Sequence, residues 1–233
     1  GIVKLPRVPV ADNIPGEEKP KFRNLWEHIR TKMPKKGRGK AKTLDPLSLP
    51  VELQTALEAL YGHYEKTFGL WQDAKIKVPP CFIVVCNNTS TSKLVYDYVS
   101  GFLRENEDGT TTLENGRLPL FRNYDEHGNP LARPNTLLID SEQLESGDAL
   151  DKKFRDMAAD EIERFRREII ERTGDRRQAE NITEQDLLRE VMNTVGKEGR
   201  LGEPIRCVAS VYMLTEGWDA NTLPNVHGYR ALA

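Results

Sequence analysis

The sequence predicts an α/β protein whose central sheet is open, largely parallel and flanked by helices. Three short apolar runs rich in β-branched residues, at 81–86, 136–140 and 205–211, indicate strands. Continuous apolar runs of this kind are typical of strands that are covered on both faces. Amphipathic helical patterns separate the three runs, and strands that alternate with helices favour a parallel sheet.

Composition limits the possible functions. The 233 residues correspond to one or two domains. Lys and Arg number 34 against 36 Asp and Glu, a formal charge of −2, which excludes a uniformly basic nucleic-acid-binding protein but allows a local basic stripe. A hydrophobic fraction of 38% predicts a modest core with long polar segments attached.

Targeting signals and cysteine usage favour a cytoplasmic protein. No apolar run is long enough to span a membrane, and no secretory signal opens the sequence. The odd number of cysteines, without a CxxC pair, argues against a disulfide framework or a zinc site. We therefore expect three buried, reduced thiols at Cys81, Cys86 and Cys207.

Residues 1–78 are predicted to form an irregular, partly helical N-terminal segment. Prolines recur through its first fifty residues, with an edge strand expected within 2–10 and a short helix near 25–29. Apolar residues at three- and four-residue spacing predict a helix over 51–68. The domain boundary is placed before Pro79-Pro80, and 79–233 is the second domain.

A basic segment at 30–42 carries seven Lys or Arg in thirteen residues and no acidic residue. Such a segment can contact a phosphate backbone, or it can be an ordinary solvated loop. Both interpretations stay open.

The second domain is predicted as strand, polar turn and helix, followed by a polar insertion at 104–135 that contains a hairpin or loop. A long helix is expected from Asp148 to about Arg172, ended by Gly174. A further helix is expected from the cap residue Thr183 to Gly196.

Two stretches imitate nucleotide-binding motifs but fail on spacing or context. Residues 37–43 are rich in Gly and Lys, but Ala41 follows Lys40 where a phosphate loop requires Ser or Thr, and no strand precedes them. The acidic run at 125–128 lies among Asn, Gly and Pro, so a surface turn is predicted there.

Two candidate sites follow predicted strands, where open α/β sheets bind ligands. The first, at 87–90, offers amide and hydroxyl side chains at a helix N-terminus, which suits a phosphate and equally suits a plain helix cap. The second, at 215–221, combines a hydroxyl, two acids, an aromatic ring and Gly217, whose missing Cβ permits a tight turn. Asp219 can accept a hydrogen bond from a ribose hydroxyl or hold an arginine; a purely structural loop is the alternative.

The string Thr-Glu-Gly-Trp-Asp-Ala-Asn at 215–221, within 186–233, resembles the second RecA-like lobe of superfamily 2 (DEAD/DEAH-type) helicases. More narrowly, it is similar to the Res subunit of type III restriction enzymes. Residues 81–98 resemble helicase motif IV, and 136–150 match a segment common in the family, so the resemblance covers about 80–233.

The resemblance implies an ATP-driven motor in a restriction-modification system, with ATP and Mg²⁺ held between two RecA-like lobes. DNA, the missing first lobe and a methyltransferase (Mod-like) subunit are the implied partners. It assigns nucleotide contacts to Glu216, Gly217 and Asp219. It assigns DNA-backbone contacts, which position DNA without reading its sequence, to Asn88, Thr89, Ser90, Ser210 and Thr215.

The sequence also departs from the family. It shows no phosphate loop, no acidic magnesium motif and no arginine-bearing motif VI, on which phosphoryl transfer depends. We therefore expect an incomplete C-terminal helicase lobe that hydrolyses no ATP alone and binds DNA weakly at most. The rival interpretations are a non-catalytic nucleic-acid-binding α/β module and, less favoured, a small-molecule α/β enzyme that uses the loop at Asp219.

Overall fold

The computed structural model describes residues 25–34, 44–106, 108–139, 155, 158–211 and 227–229. The basic segment beyond Pro34, the edge strand expected within 2–10 and the candidate loop at 215–221 lie outside these residues.

Within the described residues there are six α-helices, six strands and two short 3₁₀ helices at Pro46–Ser48 and Pro119–Phe121. The helices are α1 (Leu25–Ile29), α2 (Val51–Asp73), α3 (Thr89–Ser100), α4 (Ala159–Thr173), α5 (Arg176–Glu180) and α6 (Glu184–Asn193). The strands are β1 (Phe82–Cys86), β2 (Gly101–Glu105), β3 (Thr111–Asn115), β4 (Thr136–Ile139), β5 (Cys207–Val211) and β6 (His227–Tyr229).

Four parallel strands form the central sheet in the order β4-β5-β1-β6. The three strands predicted from apolar runs are confirmed, and with them a mixed α/β fold with a small parallel sheet flanked by helices. The fourth strand, β6, was not predicted, because three residues beginning with His227 carry no apolar run.

Side chains alternate across the sheet and divide the core in two. Phe82, Val84 and Cys86 of β1 pack in a cluster with α1, α2 and α3. Ile83, on the opposite face, belongs to a second cluster with β4, α4 and α6. Burial on both faces explains why β1 reads as an unbroken apolar run.

Helix α2 buries the stripe predicted for it and runs five residues beyond the predicted end. Tyr64 is fully buried, its hydroxyl donates to the carbonyl of Pro80 at 2.9 Å, and its ring contacts Phe121 edge-on at 4.6 Å. Residues on both sides of the proposed boundary at 78/79 therefore share one hydrophobic cluster. The boundary itself stays a prediction.

The polar insertion contains an antiparallel hairpin, β2–β3, which begins at Gly101, earlier than expected. The run at 125–128 is a surface turn, as predicted. Asp125 accepts hydrogen bonds from the backbone N–H groups of His127 and Asn129, both at 2.8 Å, and Gly128 has a φ of +81°.

Two of the three described helices between β4 and β5, α4 and α6, were predicted, and they agree with the prediction at three of their four ends. Gly174 ends α4 in the left-handed conformation, and Thr183 begins α6 with a capping box to Asp186. Helix α6 ends at Asn193, near the predicted stop at Gly196. The unbroken helix expected from Asp148 is wrong at Ala158, whose φ of −103° and ψ of 20° make it the N-cap of α4.

The physical reason for the break lies in the first turn of α4. Asp160 and Glu161 occupy that turn, where negative charge stabilises a helix N-terminus, so the sequence supports a new start there. The predicted helix from 148 to 154 lies outside the described residues.

Candidate functional site at the carboxyl edge of the sheet

The two candidate sites start from neighbouring strands at the same edge of the sheet. In the β1–β5 pair, Cys86 lies opposite Val211. Adjacent strands are about 4.8 Å apart, and both of these run in the same direction, so their carboxyl ends are side by side. Asn88 follows β1 by two residues, and the chain leading to Thr215 leaves β5 from this edge.

The chain segments that leave β1 and β4 cross opposite faces of the sheet. The chain leaving β1 enters α3, which packs in the first cluster, and reaches β4 beyond β5. The chain leaving β4 returns through α4 and α6, which pack in the second cluster, to β5. These two crossovers therefore lie on opposite faces of the sheet, and the connection that leaves β5 lies outside the described residues.

Asn88 is the N-cap of α3. Its Oδ1 accepts a hydrogen bond from the Thr91 N–H at 2.8 Å, and its Nδ2 donates to Asn87 Oδ1 at 3.0 Å. Both ends of the amide thus have local partners, as the helix-cap interpretation predicts. A phosphate contact through this side chain would have to replace one of them.

Thr89 and Ser90 occupy the first turn of α3 and are exposed. The first N–H groups of a helix have no intrahelical partner, so this turn presents backbone donors beside two hydroxyls. The positive end of the helix dipole adds to the attraction for an anion. The turn therefore offers an anion uncharged hydrogen-bond donors rather than a positively charged side chain.

Ser210 is fully buried in β5, one residue before the strand ends. It lies opposite Val85 of β1 and Ile139 of β4 in the register. Its Oγ has no hydrogen-bond partner among the described residues, although buried hydroxyls usually have one. In this structure Ser210 is an unsatisfied polar group just beneath the edge rather than an exposed contact.

The remaining predicted contacts, Thr215, Glu216, Gly217 and Asp219, lie outside the described residues. Their roles stay predictions.

The three thiols are free and buried. Burial raises the pKa of the Cys86 thiol, at the end of β1, to about 12. Cys86 is therefore a protonated, inert core residue at neutral pH.

Two cations of the basic segment are described. Lys32 forms an ion pair with Glu52 of α2, and the Lys32 hydrogen bond lowers the pKa of that carboxyl. Arg30 is exposed. The start of the segment is thus tied to α2 by one ion pair.

Sequence reasoning missed Asn123, a buried residue that positions β4. Its Oδ1 accepts from the N–H groups of Asn135 and Thr136, both at 2.9 Å, and its Nδ2 donates to the Thr136 carbonyl at 2.8 Å. No local pattern identifies it, because its partners are twelve or more residues away.

The described residues contain no group of three or more His, Cys, Asp or Glu side chains placed to hold a metal ion. In the same part of the chain, no helix combines the length and apolarity that crossing a bilayer requires.

The fold and this edge define an α/β protein with a small parallel sheet. No family model matches the chain, and no solved structure matches it significantly. A stretch of 80 residues is 36% identical to the cytochrome P450 monooxygenase fsoB of Humicola fuscoatra, covering 29% of this chain and 15% of that protein. A match to so small a part of the relative shows no family for this chain.

Proposed function

We propose that the chain forms the second RecA-like lobe of a superfamily 2 helicase or translocase, of the kind found in type III restriction enzymes. In this role the carboxyl edge of the sheet is one wall of a cleft that binds ATP and DNA. The opposite wall, with the phosphate loop and the magnesium-binding acid, belongs to a first lobe outside these residues.

The register of β1 and β5 carries the proposal. It brings the exposed turn at Thr89 and Ser90 to the edge from which the chain continues towards Gly217 and Asp219. A motor lobe needs these two segments together, because one contacts the DNA backbone and the other the nucleotide. In a parallel sheet, the segments that follow two strands lie side by side only when the two strands are neighbours.

The chemistry of the α3 turn supports a phosphate contact that does not depend on base sequence. Hydroxyls and helix N-terminal N–H groups bind phosphate oxygens and carry no base readout. The Ser210 hydroxyl, which has no hydrogen-bond partner among the described residues, supports a polar partner at this edge. ATP and Mg²⁺, when bound, supply the phosphoryl-transfer chemistry, and Asp219 and Gly217 are the proposed contacts on this lobe.

A DNA-binding measurement tests the α3 turn. Fluorescence anisotropy of a labelled single strand should show weak binding by the chain that decreases as salt rises. The double variant Thr89→Ala/Ser90→Ala, which leaves the Asn88 cap intact, should bind about tenfold more weakly. Thr55→Ala, an exposed threonine on α2, is the matched control and should bind like the wild type.

The alternative, a non-catalytic nucleic-acid-binding module, is favoured by the basic segment at 30–42. In that case Lys35→Gln/Lys36→Gln/Arg38→Gln abolishes binding, and Thr89→Ala/Ser90→Ala has no effect. Equal binding by the wild type and the α3 double variant therefore contradicts the motor-lobe proposal at this turn.

A further inference from the structure

A cavity of about 370 Å³ lies at the amino-terminal edge of the sheet, opposite the edge described above. The last turns of α2 form one wall with Phe68 and Trp71, and the chain just before β1 and β5 forms another with Pro80 and Arg206. The volume is within the range of small-ligand sites. Neither the cavity nor its residues take part in the proposed motor site.

Apolar residues outnumber polar ones in the lining, while polar atoms present more of its exposed surface. Seven of the twelve lining residues are apolar, and one of them, Ile76, is 44% exposed, which is unusual for a large hydrophobic side chain. Phe68 and Trp71 are half-buried, so ring surface is available to the cavity. The two aromatic rings in this mixed lining favour a ligand with a planar ring.

Arg206 supplies the charge. Its guanidinium lies 5.1 Å from the centre of the Phe68 ring and donates to the carbonyl of Leu120 at 3.2 Å. Two hydrogen bonds hold the Arg206 backbone. Its N–H donates to the Asn135 carbonyl and its carbonyl accepts from the Phe82 N–H, both at 2.7 Å. Arg206 is therefore held in place before any ligand arrives, which reduces the cost of binding.

The two other lining cations are ion-paired, and the Glu203 carboxylate is held by a backbone N–H. Arg133 pairs with Glu161, Lys77 pairs with Glu198, and Glu203 accepts from the Gly199 N–H at 2.6 Å. Arg206 has no carboxylate partner among the described residues. Among the described residues, Arg206 is thus the lining cation without an ion pair, beside an aromatic wall and in a cavity that also holds the Glu203 carboxylate.

We propose that this cavity binds a small planar anion, an aromatic ring that carries one carboxylate or phosphate group. The ring packs against Phe68 and Trp71, and the anionic group accepts hydrogen bonds from Arg206. Arginine suits this role because its planar donor pair matches both carboxylate and phosphate oxygens.

Isothermal titration calorimetry with four probes tests the proposal. Indole-3-carboxylate and phenyl phosphate carry the anion on a ring, whereas indole and phenol are their neutral counterparts. Each anionic probe should bind about tenfold or more tightly than its neutral counterpart. The anionic probe with the larger gain in affinity over its own neutral counterpart identifies carboxylate or phosphate as the preferred group.

Variants assign the binding to this cavity. Arg206→Gln should remove the preference for the anionic probe, and Trp71→Leu should weaken binding of charged and neutral rings alike. Arg189→Gln, an exposed arginine on α6, is the matched control. Thr89→Ala/Ser90→Ala should not change the binding, which separates this cavity from the carboxyl edge.

Wild-type results alone can overturn the proposal, even if Arg206→Gln fails to fold. It is wrong if no probe binds with a Kd below about 1 mM, or if charged and neutral probes bind equally. It is also wrong if Thr89→Ala/Ser90→Ala abolishes binding while Trp71→Leu does not.

Discussion

At the scale of single residues, Asn123 shows how one side chain can position a strand. Its amide bonds Asn135 and Thr136 at the start of β4, and its backbone bonds Ser100 and Leu131. One buried residue thus joins the end of α3, the insertion and the sheet through its backbone and side chain together. If β4 were positioned incorrectly, the neighbouring strand β5 would lose the register in which Val211 lies opposite Cys86 of β1.

Asn123→Ala should therefore lower the free energy of unfolding by about 2–4 kcal/mol, because buried donors and acceptors on β4 lose their partner. Urea denaturation measures the change. Asn181→Ala removes one hydrogen bond, to the Arg177 carbonyl, at an exposed position and should cost less than about 1 kcal/mol. Equal effects of the two substitutions would show that Asn123 does not organise β4.

The buried thiols make stability depend on alkaline pH. Burial raises the pKa of Cys81 and Cys86 to about 12, and it raises that of Cys207 well above its ordinary value. In the unfolded chain the thiols lose their protons above about pH 8.5. The folded chain then holds more protons than the unfolded chain, so stability is lost as pH rises from about 8.5 towards 12.

We expect each thiol to reduce the free energy of unfolding by about 1.4 kcal/mol per pH unit above that point. Urea denaturation at pH 7.5, 8.5 and 9.5, in the presence of a reductant, measures the decline. Cys86→Ala, which removes one titrating thiol, should show a shallower decline. An unfolding free energy that stays constant from pH 7.5 to 9.5 would contradict the buried placement of these thiols.

At the scale of elements, two glycines in helical regions have opposite requirements. Gly174 ends α4 with a φ of +71°, a conformation that L side chains rarely adopt. Gly69 lies inside α2, and a Cβ added there meets nothing within 4 Å. The same substitution should therefore change stability in opposite directions.

Gly174→Ala should destabilise the protein by about 1–2 kcal/mol, because alanine is strained at positive φ. Gly69→Ala should stabilise it by about 0.5–1 kcal/mol, because alanine restricts the unfolded chain and favours the helix. Thermal unfolding followed by circular dichroism measures both. If Gly174→Ala leaves the melting temperature unchanged, the left-handed backbone conformation assigned to the end of α4 is wrong.

Elements that bury much apolar surface could be predicted from the sequence, and short or exposed elements could not. The runs that became β1, β4 and β5 are apolar because helices cover both faces of the sheet. Helix α5 has five residues and depends on the Asp175 cap, which gives no periodicity to detect. In α4 the pattern concealed the break at Ala158, since a buried alanine fits a helical stripe equally well.

At the scale of the whole molecule, the sheet separates two possible sites. Its carboxyl edge carries the α3 turn and the exit of β5, and its amino edge carries the cavity beside Arg206. The first site could be predicted from the sequence, because apolar runs followed directly by polar residues can be recognised in the sequence itself. The cavity combines α2 with residues preceding β1, β4 and β5, and no local pattern joins these positions.

The central claim is that the carboxyl edge of the sheet is half of an ATP-dependent motor. Its most direct test is DNA-stimulated ATP hydrolysis by a polypeptide that carries these residues together with a first lobe. We predict turnover that DNA stimulates and that Asp219→Ala abolishes, while residues 1–233 alone hydrolyse no ATP. DNA-stimulated hydrolysis by residues 1–233 alone, or full activity of the Asp219→Ala polypeptide, would contradict the claim.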